Sequence, residues 1–197
     1  ITKQKIKLLC PQLIFLIVTF CIFMPSSLFL GNIDEFAVGF AALIPLLMAA
    51  SLITAAVVIL IGLIVPKKIC NIYAAVIFGG ALAAYVQGNF LNPDFGVLNG
   101  RQIQWSQFKV NGIISTVVWI VLIVVPPVIV CFKKDIMTNI IKWGSLFLSS
   151  IQVVTLVVLI VSSKRSVDYS YVVTKNDEFA LSSQGNVVVF IVDTLDN

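Results

Sequence analysis

Apolar residues in this chain gather into five blocks, at about 8–30, 37–65, 69–86, 113–132 and 140–162, with short polar stretches between them. Each is near the ~20 residues that a helix needs to cross the hydrocarbon of a bilayer. The first is too long for a signal-peptide core and has no small-residue cleavage site at its end, so it counts as a span. The second has the length to tilt, or to kink at Pro45. Pro126 and Pro127, late in the fourth, remove two backbone donors and predict a bend. The pattern therefore predicts an all-α bundle of five transmembrane helices over 1–163.

The pattern changes after that. A polar stretch, 164–185, carries Tyr169 and Tyr171, which read as interface anchors, and a Ser-Ser-Gln-Gly turn at 182–185. Within it, 167–173 alternate in the manner of a short strand or an interfacial segment. Residues 187–192 then run Val-Val-Val-Phe-Ile-Val and stop at Asp193. This is the pattern of a fully buried parallel strand whose carboxyl end delivers a carboxylate to a site. One strand cannot cover its faces or pair its backbone alone. The expectation is that 164–185 is a linker and that 186–197 is the first strand of an α/β domain whose remainder lies beyond the chain.

Composition agrees with the spans. The chain is 59% hydrophobic and 11% charged, against roughly 25% charged in an ordinary soluble domain. It contains no His, which removes the commonest general base and metal ligand. The four cysteines, Cys10, Cys21, Cys70 and Cys131, lie in or at the ends of spans without a Cys-x-x-Cys pair. They read as small apolar residues, with palmitoylation of Cys70 or Cys131 the alternative.

The distribution of charge says more than the net +4. Lys3, Lys5, Lys7, Lys67, Lys68, Lys133, Lys134 and Lys142 fall on one side of a five-span chain. Arg101, Lys109, Lys164, Arg165 and Lys175 fall on the other, together with every acidic residue except Asp135. The positive-inside rule then places the amino terminus in the cytoplasm and the carboxyl terminus outside, in a cell membrane crossed several times. Lys164 and Arg165 oppose this and are outnumbered. Membrane lipids are the expected partners, and nucleic acid is not.

Chemistry inside the spans is sparse. No Asp, Glu or Arg lies in a span core, which argues against a pump or an ion-coupled transporter. The absence of an internal repeat argues against an inverted-repeat transporter. Gln12, Asn71, Lys142 and Gln152 are the strongly polar residues in or near the spans, and mid-span Gln152 is expected to bond to a neighbouring helix. Gly79, Gly80, Ala81, Ala83 and Ala84, with Ala49, Ala50, Ala55 and Ala56 in the second span, offer small faces for close packing. The one long loop, 87–111, ends in an amphipathic stretch with Trp105 and Phe108 three apart. It fits either an interfacial aromatic belt or a platform for a lipid head group or outer domain. Arg101 is either a solvated loop charge or a contact to a lipid phosphate.

Five spans, an inward amino terminus, a short linker and then Asn-Val-Val-Val-Phe-Ile-Val-Asp-Thr-Leu-Asp over 186–196 resemble the membrane-anchored branch of the sulfatase and alkaline-phosphatase superfamily. Lipoteichoic acid synthases and phosphoethanolamine transferases belong to that branch. The resemblance implies an extracytoplasmic α/β catalytic domain opening at 186, with Asp193 as a ligand of a divalent metal, Mn, Mg or Zn. The synthases have Glu followed by Ser there, and the Asp193–Thr194 pair is closer to the sulfatases. The family's Thr or Ser nucleophile and its later Asp and His ligands fall beyond Asn197. The resemblance therefore implies a metal-dependent phosphotransferase or hydrolase acting on lipid-linked head groups of the cell envelope, of which these residues alone are inert. Asp193 equally suits a helix N-cap following the strand. The rival functional reading is a non-enzymatic five-helix anchor or assembly protein, with a small-solute transporter behind it.

Overall fold

The computed structural model describes residues 2–36, 38–93, 95 and 103–163. Among these, the chain is all-helical. Five helices are long and apolar enough to cross a membrane: α1 (Lys3–Gly31), α2 (Phe40–Ile64), α3 (Cys70–Leu91), α4 (Trp105–Phe132) and α5 (Lys134–Ser162). The chain is thus a multi-pass membrane protein. The linker, the strand at 187–192, Asp193 and Arg101 lie outside the described residues.

α1 is the hub, in contact with α2, α3 and α5. α3 and α4 form the tightest pair, and α5 closes against both. The turn after α2 brings Val65 to Lys5, and Trp119 of α4 meets Gln87 of α3, so successive helices run up and down. One end of the bundle gathers the start of α1, the α2–α3 turn and the start of α5, and with them Lys5, Lys67 and Lys134. It is called the basic end below.

Burial follows this arrangement. Phe15, Ala75, Phe78, Ala81 and Ile141 make the centre of the core where α1, α3 and α5 meet. α2 and α4 present broad apolar surfaces outwards, with Leu46, Leu52, Ile64 and Phe132 each more than two-thirds exposed. In water that would be untenable. In a bilayer those side chains meet lipid tails as apolar as themselves. The small residues of α3 are used as expected, with Gly79, Ala81, Ala83 and Ala84 buried. Those of α2 are not: Ala49 and Ala56 are exposed, and only Val58 and Gly62 are buried. α2 leans on α1 near the basic end, where Gly62 accommodates Leu9, and again at the widened turn, where Thr54 meets Cys21; Ala50 and Ala55 are only half-buried.

The prolines act differently from one another. Pro45 kinks nothing, because it occupies the first turn of the α-helical segment Ile44–Ile64, where a missing N–H costs no hydrogen bond. Pro126 and Pro127 lie within a helix that continues through them. Pro126 cannot donate to the carbonyl of Leu122, four residues earlier. That oxygen faces Gly79 of α3, where a Cβ would collide with it and would lie 3.1 Å from Ile123 Cα. The missing donor and the missing side chain therefore meet at one point, and the two backbones close together there. α1 also departs from regularity: Ile17–Phe23 widen into π-helix, closed by the Met24 N–H donating to the Thr19 carbonyl five residues back.

Candidate functional site

Three polar regions stand out in an otherwise apolar bundle. The first is a seam down the α1–α5 contact. Gln12, Thr19 and Ser26 recur at intervals of seven along α1, and all three are inaccessible to solvent. Ser145, Ser149 and Gln152 face them from α5 and are also buried. An interval of seven is about two turns of α-helix, and all three positions stay buried across the π-helical segment Ile17–Phe23. The π-helical widening falls across Thr19 and positions it against Gln152. Thr19 Oγ1 donates to Gln152 Oε1 at 3.1 Å, and Gln152 Nε2 donates to Thr19 Oγ1 at 3.0 Å. The cross-helix bond expected of Gln152 is therefore made. Ser149 Oγ bonds back to the Ser145 carbonyl at 2.7 Å, while Ser26 Oγ and Ser145 Oγ have no partner. The seam contains no acid and no base, so it can hold helices together but cannot carry a proton by titration.

The second region lies at the end opposite the basic end. Another π-helical turn, Gln87–Leu91, terminates α3. Trp119 Nε1 donates to Gln87 Oε1 at 3.2 Å, and Gln87 Nε2 donates to Asn92 Oδ1 at 3.2 Å. A cleft of about 510 Å³ opens between this turn and the end of α1, lined by Met24, Ser27, Asn32, Asn89 and Asn92. The amide nitrogens of Asn32 and Asn89 are spent on the carbonyls of Leu28 and Tyr85. Nearby, Trp105–Phe108 form a single 3-10 turn leading into α4, and Phe95 packs edge-on against both Trp105 and Phe108. The amphipathic stretch of the long loop is thus a compact aromatic cluster at a helix start, as an interfacial belt requires.

The third region is at the basic end, where Asn71 lines a cavity between α1, α3 and α5. Lys142, the remaining polar residue singled out in the sequence, is exposed on α5, with its Nζ 5.2 Å from the Trp143 ring centroid. Tyr73 Oη donates to the Val58 carbonyl at 3.1 Å, tying α3 to α2. The cysteines are free, with Cys21 and Cys70 buried and Cys10 and Cys131 exposed. Burial of Cys70 fits its reading as a small apolar residue.

Among the described residues, no group of three or more His, Cys, Asp or Glu could hold a metal. Asp193, the one residue assigned to a metal from sequence, lies outside them. Thr19 and the widened turn that carries it were missed in the sequence, although the recurrence of polar residues at 12, 19 and 26 signals the seam. Comparison with protein-family models, with curated proteins and with solved structures finds no match for this chain.

Proposed function

We propose that this chain is the membrane module of an extracytoplasmic, metal-dependent phosphotransferase or sulfatase-like hydrolase that acts on lipid-linked head groups. The observation that carries the reading is the apolar run 187–192 ending at Asp193, placed after a fifth span that starts at the basic end and so finishes at the opposite one. If the basic end is cytoplasmic, as the lysine bias requires, the run emerges outside. The bundle supports the role of an anchor. Its buried polar groups are neutral, Thr19 and Gln152 bond to each other, and no ionisable pair crosses its core among the described residues. Asp193 supplies a hard oxygen ligand suited to Mn, Mg or Zn. The metal would activate a hydroxyl nucleophile and neutralise charge on the transferred phosphoryl group. The helices keep that site beside its lipid substrate.

The test begins with the gene beyond the codon for Asn197. Continuation into an α/β domain with a Thr or Ser followed by an Asp-His pair is expected, and Asp193→Ala in that protein should abolish stoichiometric metal on elemental analysis. A stop codon, or unchanged metal content in D193A, overturns the enzyme reading and leaves a five-helix anchor protein. The observation behind that second reading is that the described residues hold no group of three or more His, Cys, Asp or Glu able to bind a metal.

A further inference from the structure

The cavity at the basic end has a volume of about 630 Å³. Three segments far apart in sequence line it: the start of α1, the α2–α3 turn with the start of α3, and the start of α5. Its charged walls are Lys5, Lys67, Lys134 and Asp135, three cations against one acid. Asn71, Thr138 and Asn139 add neutral hydrogen-bonding groups. Lys5 is already engaged, donating to the carbonyls of Gly62, Leu63 and Val65 at 3.2, 3.0 and 2.6 Å, where it caps the end of α2. Lys67 and Lys134 are exposed at the rim, so their donors point to no fixed protein acceptor.

Two helices also begin here. α3 starts at Cys70 and α5 at Lys134, and neither first turn is capped by a side-chain hydrogen bond. Each leaves backbone N–H groups and the positive end of a helix dipole at the cavity. Asp135 sits in the first turn of α5, where an acid offsets that dipole, and it leaves the cavity with a surplus of positive charge. Independently, Thr138 Oγ1 is buried without a partner. Thr138 also lines the cavity, so a turn of its side chain would bring that unmatched hydroxyl to an acceptor held there.

We propose that this cavity binds the phosphate of an anionic membrane phospholipid. The chemistry of the walls selects a phosphate: two exposed lysines, two helix starts without a side-chain cap and a hydroxyl group. A second cleft selects a lipid as its source. About 160 Å³ in volume, it runs between α1 and α2 and is lined by Ile6, Leu9, Leu13 and Ile59, with Lys5 shared between it and the polar cavity. A head-group site and an apolar track side by side at a helix end match a molecule that is charged at one end and hydrocarbon at the other. Basic cavities between helix ends are a recurrent way of holding such head groups. The site is independent of any catalytic domain and stands or falls without it.

The experiment uses the whole chain in nanodiscs. Binding would be read by native mass spectrometry of retained lipid and by thermal midpoint in discs of pure phosphatidylcholine or of phosphatidylcholine with one-fifth phosphatidylglycerol. Wild-type protein should retain phosphatidylglycerol and melt higher in the mixed discs. Lys67→Gln with Lys134→Gln should weaken retention by about tenfold or more, from the usual contribution of a lysine beside an anionic lipid. Lys142→Gln, which removes one charge outside the cavity, should change retention less than threefold. Thr138→Val should weaken retention while leaving the phosphatidylcholine midpoint unchanged or raised, because it removes a buried hydroxyl that has no partner. Equal losses in the double variant and in K142Q would reduce the effect to general surface charge and overturn the proposal. Displacement of the lipid by millimolar inorganic phosphate would assign the cavity to a free anion and overturn the lipid.

Discussion

The α1–α5 and α3–α4 contacts solve one problem in opposite ways. Lipid tails are as apolar as any helix surface, so burial of hydrocarbon gives two membrane helices little reason to associate. α1 and α5 meet through polar side chains, with Thr19 and Gln152 bonded to each other inside a stripe of buried Ser and Gln. α3 and α4, bonded at one end by Trp119 and Gln87, meet midway through the absence of a side chain: Gly79 lets the Leu122 carbonyl approach, and Pro126 leaves that carbonyl without its helical donor. The first contact can exchange partners if the helices slide. The second is fixed by backbone atoms and tolerates almost no displacement. α3–α4 is therefore the rigid element, and α1–α5 is the adjustable one.

The sharpest way to break this distinction uses neighbouring glycines. Gly79→Ala places a methyl group against the Leu122 carbonyl and should cost about 2 kcal/mol, the usual range for overpacking a tight contact. At Gly80 nothing lies within 4 Å of an added Cβ, so Gly80→Ala should fall within about 0.5 kcal/mol of neutral, helped by the better helix propensity of Ala. Reversible unfolding in bicelles measures both. Equal costs at the two positions would show that α3 responds to helix propensity rather than to backbone approach.

Position 79 also shows how far the sequence could be read. The run Gly79–Ala84 announces a small face on α3, and the five apolar blocks announce five helices, because length and hydropathy are local properties. Which partner a small face meets is not local. Gly79 meets the one carbonyl, that of Leu122, whose helical donor Pro126 removes, and nothing along the chain pairs those positions. The same limit explains α2. Its alanines look like an interface in sequence, yet Ala49 and Ala56 are exposed and Ala50 and Ala55 only half-buried, since α1 engages α2 near Gly62, through Lys5 and at Thr54. Gln152 was legible as a bonded residue because a mid-span amide must find a partner, but Thr19 was not legible as that partner. The π-helical turn that aims Thr19 has no distinct local signature. The basic-end cavity was half legible: the lysines were read as an orientation signal, and their convergence with Thr138 belongs to the fold. Asp193 rests on sequence pattern alone.

The adjustable contact can be sharpened by a double-mutant cycle. Thr19→Val and Gln152→Leu should couple by about 0.6 kcal/mol, the average for polar pairs between membrane helices, with about 1.7 kcal/mol as a ceiling. Either single variant leaves the other polar group buried in an apolar seam, so each single should cost more than the double would suggest. A coupling near zero would mean that the two side chains find other partners, and the seam would hold through packing alone.

The smallest effect is expected where the seam is already incomplete. Ser26 and Ser145 are buried with hydroxyls that bond to nothing described. Ser26→Ala and Ser145→Ala each remove an unsatisfied polar atom, which favours folding, and leave a void of one oxygen, which opposes it. The two terms are similar in size, so each variant should stay within about 0.5 kcal/mol of wild type in the unfolding assay used for Gly79. A loss well above about 1 kcal/mol at either position would mean that the hydroxyl bonds to something in the membrane, water or lipid, that completes the seam. α1–α5 would then be a filled contact rather than an adjustable one, and the contrast with α3–α4 would rest on chemistry alone, not on freedom to move.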